Sequence, residues 1–575
     1  MIKRNYMLLA VLISFLFIPS ISLARDFFMF DLEKNKILHM GSNDTAFVAK
    51  MDIEKVPDLI IQTSDPNKFL AVYMPKGKTK FDGLNAPIGE LREEYQIYKE
   101  TGCILLINIA TGRTEDVVDI GYGPFRTCFS KDKKHFFISY RPNVNSKVFE
   151  LLHYNAVEKK KEVLNKPLNR VIGLDVSMDT SSIYALVKRD GNDSSEMLTI
   201  SMNPLSIKSA LPAGFNPFKA YVMSANRVVL LDTGGRNSSN EEVWGSIQLI
   251  DTDKNEIIAH AVFKPSNVSY QWYKEQNTLF VVTRDMSCKW NEQLELVWSG
   301  HFSFIRVNLE GLKNIDKSEV IWDYQYHPKT DTIYALPERG MVIYDLRNGK
   351  EGNIKTGINI YNVGFKENGQ DYIRTMNYFV NVVPEANLAT VYSNYSGIVK
   401  FYNLMTGKLI QTVKGAKMKK AIPEDYGDKA SVTTNSDKTR FYVLNRVRKG
   451  LTVFDQKMEQ IATIDLSDQR PISMYQVEKP TYQTILATDK GLYKVEDNAL
   501  KEICRFTGSS KGLYLFKDDQ RLIFWTEKDW YIIDSATLEM KYHLDQFGDP
   551  NDKYTKVQKG ECRYYYVPTP DQWGE

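Results

Sequence analysis

Residues 397–413 read GIVKFYNLMTGKLIQTV. Ile398, Val399, Phe401 and Tyr402 make a short β-prone run. Asn403 and the pair Thr406-Gly407 make a turn, and Leu409-Ile410-Gln411-Thr412-Val413 begins a run going back. A second hairpin of another kind follows, with Ser436-Asp437-Lys438-Thr439 as its turn and residues 440–444 as its strand. Together they make four strands in about 50 residues, the size of one repeating supersecondary unit.

The two hairpins alternate along the chain. Eleven copies of the first kind begin at Phe27, Ile104, Val148, Met197, Ile247, Phe302, Met341, Ile398, Leu451, Leu492 and Trp530. Six of them end their first strand on Asp, whose short side chain bonds to backbone two residues on and starts the turn. Ten copies of the second kind, a polar turn leading into an apolar strand, begin at Ser64, Ser130, Ser177, Ser224, Lys274, His327, Pro384, Asn435, Lys479 and Lys517. Each lies between two copies of the first kind. Chance would not keep that order over the chain, and no helical period competes with it.

A four-stranded unit of this length cannot bury both faces of its sheet alone, so neighbours must stack. At this point the chain resembles the WD40 and YVTN-type β-propellers. The resemblance rests on the Ser-x-Asp or Ser-Asp turn before a strand (Ser130, Ser177, Ser436) and on the strand–Asp/Asn–x–x–Thr/Asn–Gly–Lys turn that starts at Asp345 and Asn403. The Gly-His and Trp-Asp pairs of true WD40 repeats are absent from the expected places, so the assembly-scaffold role of that subfamily is not implied. The expectation is an all-β propeller of about ten four-stranded repeats over residues 25–545. That number exceeds the usual four to eight blades; two packed rings are expected first, then one large ring, then a smaller ring whose repeats are overcounted. The copy at Phe27 has no preceding partner hairpin, and first and last strands could pair to close a ring. Residues 546–575 leave the pattern as a C-terminal tail, in which YYYVPTPDQW from Tyr564 reads as an arm lying on the surface.

Composition bounds the partners. Hydrophobic residues are 43% and charged residues 25%, enough for a sizeable core in a globular protein. The net charge of +3 supplies no electrostatic footprint for nucleic acid. Residues 1–24 read as a signal peptide: Lys3 and Arg4, then an apolar run to Ile18, then Ser22-Leu23-Ala24 before the cut. No later stretch reaches the length of a membrane helix. The expected product is an exported protein, periplasmic or extracellular, with no transmembrane segment after signal removal. Five cysteines are too few for a disulfide scaffold, although Cys504 and Cys562 suggest a pair that would tie down the tail. Five N-x-S/T sequons begin at Asn43, Asn192, Asn237, Asn267 and Asn394 and matter only in a eukaryotic secretory pathway.

Function is expected on the connections between hairpins, which absorb all the insertions: residues 74–102, 234–245, 284–300, 352–379 and 414–429. Long loops on a rigid scaffold are where binding residues sit. Trp244, Arg284, Asp285, Trp290 and Trp298 are the candidate ligand contacts, because aromatic and Arg side chains anchor interfaces; packing of the loop bases is their competing role. The run Lys414, Lys417, Lys419, Lys420 reads as a solvated charged loop, with an anionic ligand as the alternative. The seven histidines show no metal-binding spacing, and no covalent-haem, nucleophile-elbow or phosphate-loop motif occurs. No cofactor is therefore expected. The favoured function is an exported binding protein for a protein, glycan or other surface ligand; the alternative is an exported enzyme, a cofactor-dependent oxidoreductase or a hydrolase or lyase, with its site over a central channel. Mass spectrometry of the exported protein should find Arg25 at its N-terminus, and a mature product retaining residues 1–24 would refute the signal-peptide reading.

Overall fold

A computed structural model describes residues 27–41, 48–53, 55–75, 78–79, 96–188, 195–264, 267–273, 276–290, 296–337, 339–359, 362–367, 370–375, 378–393, 399–413, 432–435, 437–445, 449–477, 483–496, 498–506, 514–517, 521–526, 529–545 and 563–567. These residues form eleven four-stranded antiparallel sheets, matching the eleven copies of the first hairpin. The protein is all-β and built of propeller blades. We number the sheets in chain order: sheet 1 starts at Phe27, and sheets 2 to 11 span residues 59–120, 122–163, 170–212, 217–263, 267–317, 321–359, 378–413, 432–465, 471–505 and 514–544. In sheets 2 to 11 the four strands follow one another in chain order. The second hairpin kind supplies strands one and two, and the first kind supplies three and four.

The chain divides into two compact units. One contains the described residues up to 53 and from 433 to 567, and the other contains residues 55–432. Within each unit, successive sheets stack face to face. The reason is visible in the second strands, whose middle positions are apolar on both faces: Lys68–Tyr73 and Ser182–Lys188 are buried along almost their whole length. Alternate side chains point to opposite faces, so one strand serves two cores. In sheet 3, Phe136 and Ile138 pack with Leu70, Val72 and Ile104 of sheet 2, whereas Phe137 packs with Ile183 and Ala185 of sheet 4. The same alternation joins sheets 4 to 8 in series in this unit. In the other unit it joins sheets 9, 10, 11 and 1. The fourth strands face solvent, as in Lys160–Val163, where all four residues are exposed.

The turns explain the repeated polar residues. At the turn between strands one and two, Ser130 Oγ donates to Asp132 and accepts from the His135 N–H at 2.9 Å. Ser177, Asp179 and Ser182 repeat the arrangement. In sheet 9, Asn435 Oδ1 accepts from the Arg440 N–H at 2.9 Å, so Asn435 takes the place expected of Ser436, which lies outside the described residues. At the turn between strands three and four, Asp345 Oδ1 accepts from the Arg347 and Asn348 N–H groups, and Asn403 Oδ1 from Thr406. The residue four places on holds φ of +65° at Gly349 and +66° at Gly407. That left-handed conformation is why the motif carries glycine at that place.

A third bond ties the two turns together. The N–H after the third strand donates to the carbonyl before the second: Ile109 to Asn67, Ala156 to Lys134, Thr252 to Asn226, Leu346 to Asp331 and Leu404 to Asn387. In sheet 1, Leu32 N–H makes this bond to Arg563 O at 2.8 Å. Phe27–Asp31 and Lys36–Met40 are thus the third and fourth strands of a blade whose second strand is Tyr564–Val567, paired antiparallel to Phe28–Asp31. Val48–Asp52 lies beyond them as an additional strand. The expectation that Tyr564–Val567 lies on the surface as an arm is corrected, and the missing partner of the Phe27 hairpin comes from the tail. Arg563 adds ion pairs to Asp31 and Glu33 at 3.7 and 3.0 Å.

Deleting residues 563–575 should leave Phe27–Asp31 with an open edge and lower the stability of the unit containing sheets 9 to 11 and 1 by about 3 kcal/mol or more. Asp345→Ala, which removes one turn acceptor, should cost only about 1 kcal/mol. Urea unfolding read alongside limited proteolysis separates the two; equal costs would show that the tail strand does not complete the sheet.

Candidate functional site

Antiparallel order places the connections of each sheet. The turns between strands one and two and between three and four lie at one end. The links between strands two and three, and from strand four to the next sheet, lie at the other. Residues 74–102, 234–245 and 284–300 join strands two and three of sheets 2, 5 and 6, and residues 352–379 lead from the fourth strand of sheet 7 to the first of sheet 8. Each insertion therefore sits at the same end of its own sheet. Residues 80–95 and the lysine run at 414–429 lie outside the described residues.

The described insertions contain paired strands of their own. Residues 284–300 continue the ladder: Thr278–Trp290 and Leu296–Asn308 are paired from Leu279↔Val307 to Trp290↔Leu296, a hairpin that outruns the rest of sheet 6. In the 352–379 insertion, Lys350–Asn359 is a long fourth strand, and Asn362–Glu367 pairs with Gln370–Thr375. The sheet 5 insertion is a small hairpin, with Gly235–Arg236 opposite Glu242–Val243, closed by Asn237 Oδ1 accepting from the Glu241 N–H at 2.8 Å.

The predicted residues are distributed over two sheets. Trp244 is 50% exposed in the sheet 5 insertion. Arg284 and Asp285 are exposed where the sheet 6 hairpin leaves the body, opposite Phe302 and His301. Trp290 and Trp298 belong to the hairpin's outer part, opposite Leu296 and Cys288.

Arg284 leads to a groove that sequence reading missed. Cross-strand partners and residues two apart share a face. Arg284 therefore shares the sheet 6 face of Phe280, Val282, Ser269, Gln271 and Tyr273, which looks toward sheet 7. Opposite stand Tyr324 and Tyr326. Between them runs a cleft of about 410 Å³. Phe280 and Tyr326 form its floor, stacked at 4.2 Å with their rings 6° apart. Tyr273 Oη donates to Gln271 Oε1 at 3.0 Å, and Ser269 Oγ lies 3.3 Å from Tyr324 Oη. Tyr270, 43% exposed, lies on the other face of sheet 6 and rests on Phe218 and Tyr221 of sheet 5.

Gln325 also lines a second cleft, of about 220 Å³, on the sheet 8 side, with Phe379, Asn381, Thr390, Tyr392 and Val432. The first strands of sheets 7 and 8 are tied together there. Asp323 Oδ2 accepts from the Val380 N–H at 2.8 Å, while Gln325 accepts from Val382 N–H and donates to its carbonyl. Burial holds the Tyr273 phenol up at about 12 and raises Tyr326 further. Both are neutral at physiological pH. Apart from Asp323, which is buried, the described residues that line the groove are uncharged. Among the described residues, no group of three or more His, Cys, Asp or Glu is placed to hold a metal ion. His135 and His153 hydrogen-bond each other at 2.9 Å in sheet 3, and burial lowers His153 to about 4. Cys504 is free, and Cys562 lies outside the described residues.

The sheet 5 insertion stands on a buried carboxyl. Asp232 accepts from Ser246 Oγ and from the Gly234 N–H at 3.3 Å, and burial raises it to about 6. A raised carboxyl binds its proton more tightly in the folded chain, so its contribution is greatest below pH 4 and is lost as pH rises through 6. The turn carboxylate Asp179, lowered by its bond from Ser177, acts in the opposite sense and loses its contribution as pH falls. Asp232→Asn should raise stability at pH 7 by roughly 3 kcal/mol and leave it nearly unchanged at pH 3. Urea midpoints at the two pH values test this; a loss at pH 7 would mean that Asp232 is held as a stabilising anion.

No protein-family model matches the sequence, and no curated protein matches it. Solved structures resemble it at low identity. Hydrazine synthase of Kuenenia stuttgartiensis is 10% identical over 72% of this chain and 100% of its own, with a TM-score of 0.30. A eukaryotic initiation factor is 10% identical over 77% and 95%, with a TM-score of 0.32. Apo AztD of Citrobacter koseri is 11% identical over 64% and 92%, with a TM-score of 0.28. At these scores the likenesses carry no argument about what this chain binds or does.

Proposed function

We propose that the chain is an exported β-propeller binding protein that takes a protein or glycan in the groove of sheets 6 to 8, next to the insertion-bearing end. The observation that carries this reading is the lining: half-exposed tyrosines, amides and hydroxyls along the first strands, with exposed Arg284 at the mouth. Such amphipathic walls gain contact area from rings and orientation from a few polar groups. A volume of about 410 Å³ falls within the range of small-ligand sites, roughly 300–1,000 Å³. Export rests on residues 1–24, and its support is the sequence.

Arg284→Ala and Gln271→Ala alter exposed side chains on the groove face and should leave folding intact. Each should weaken capture of ligand from the producing cell's envelope or medium by about tenfold, equivalent to about 1.4 kcal/mol. Trp244→Ala, in the neighbouring sheet's insertion, should matter less. Undiminished capture by both groove variants would remove the groove from the binding surface.

A further inference from the structure

We infer that His135 and His153 form an acid-sensitive latch at the turn end of the joint between sheets 3 and 4, closed while they share one hydrogen and opened when each carries its own. It is independent of the binding reading above. The geometry is a bond between two like groups. His135 Nδ1 lies 2.9 Å from His153 Nε2, so one nitrogen donates a single hydrogen and the other accepts it with its lone pair. His135 begins the second strand of sheet 3 and His153 stands in the third. Register puts both on the face of Phe137 and Leu151, which packs on sheet 4. The His153 ring stacks on Phe137 at 4.9 Å and 20°. The latch thus closes one end of an apolar seam that Val176, Ile183 and Leu205 of sheet 4 complete.

Proton bookkeeping makes the pair a two-state device. A first proton goes to the bare outer nitrogen, His135 Nε2 or His153 Nδ1, and the bridging hydrogen stays in place. A second proton has only the accepting nitrogen left to bind. Two N–H groups on two imidazolium ions would then face each other, so the rings must separate. The surroundings tolerate one charge and resist two. Asp132 and Glu158 favour a charge on His135 and Lys134 opposes it; Lys160 opposes a charge on His153, with Glu162 opposite in the fourth strand. From sheet 4 the seam receives apolar side chains, and Asp179 of the sheet 4 turn is taken up by Ser177 and Ser181. Burial holds both histidines below their ordinary value of 6.5, His153 at about 4. The folded pair therefore binds fewer protons than the unfolded chain does. Its contribution is complete above pH 6.5 and is lost as pH falls from there toward 4.

The test is an NMR titration of the full chain with isotope-labelled histidine, assigned with His135→Gln and His153→Gln. Hydrogen exchange of residues 135–155 and 176–186, corrected for the intrinsic rate, is followed alongside. The two histidines should titrate in linked steps, the second below about pH 5. Exchange in both segments should rise about tenfold or more between pH 7 and pH 4.5, beyond any rise in sheets 6 and 7. His153→Gln keeps an amide beside His135 without the second charge and should remove that rise. Independent titration of both histidines near pH 6.5, exchange that does not rise on acidification, or an equal rise in His153→Gln overturns the inference. Should His153→Gln fail to fold, His135→Gln takes its place in both measurements, and the titration of the unsubstituted chain still decides.

Discussion

A sheet that is apolar on both faces cannot remain unstacked, and the rest of this structure follows from that constraint. The second strands impose it. Phe136-Phe137-Ile138 and Ile183–Val187 have no polar side to offer water, so each sheet needs a neighbour on either face. Each such residue contributes roughly 1.5–3 kcal/mol by burial, and the contribution exists only when the adjacent sheet is in place. The fourth strands, solvent-facing and rich in Lys and Glu, end each sheet outward; the first strands end it on the other side. Polar chemistry is thereby confined to two places, the first strands and the connections.

The turn-to-turn bond is the second level of organisation. It links the residue after the third strand to the residue before the second in sheet after sheet, and it identifies a blade even when its strands come from opposite ends of the chain. Tyr564–Val567 is short and follows a stretch without a recognisable Ser-x-Asp turn. Its sequence is four aromatic or β-branched residues, which fits a strand but equally a surface arm. The Leu32 to Arg563 bond decides between them. The same logic explains the N-terminal hairpin, whose Asp31 turn marks it as strands three and four from the outset.

The groove shows why function was harder to locate. The wall residues Ser269, Gln271, Tyr324, Gln325 and Asn381 come from three sheets, separated by about one repeat each. Their strands read NVSYQWY, IWDYQYH and YFVNVV, mixed aromatic and polar without a motif. Only stacking brings them together. The sheet 6 hairpin was misread for a related reason. Residues 284–300 extend past the stacked core, so neither face must be apolar, and the alternation by which a strand is recognised is missing. The sequence marks Arg284 as a candidate interface anchor in a loop; register places it instead in a strand, on the groove's own face.

The sequence by itself determined the blade. Hairpin order, strand number, the Ser-x-Asp and Asp/Asn-to-Gly turns and the doubly apolar second strands are local, because a turn needs particular residues at fixed offsets and a strand needs its period. Eleven hairpins were legible and eleven sheets formed. Tertiary structure decided what no local pattern carries: that the tail completes the first blade, that an insertion is a ladder, and that tyrosines and amides a repeat apart share one groove. Those outcomes depend on contacts between distant segments, whose energy is realised only after the sheets have stacked.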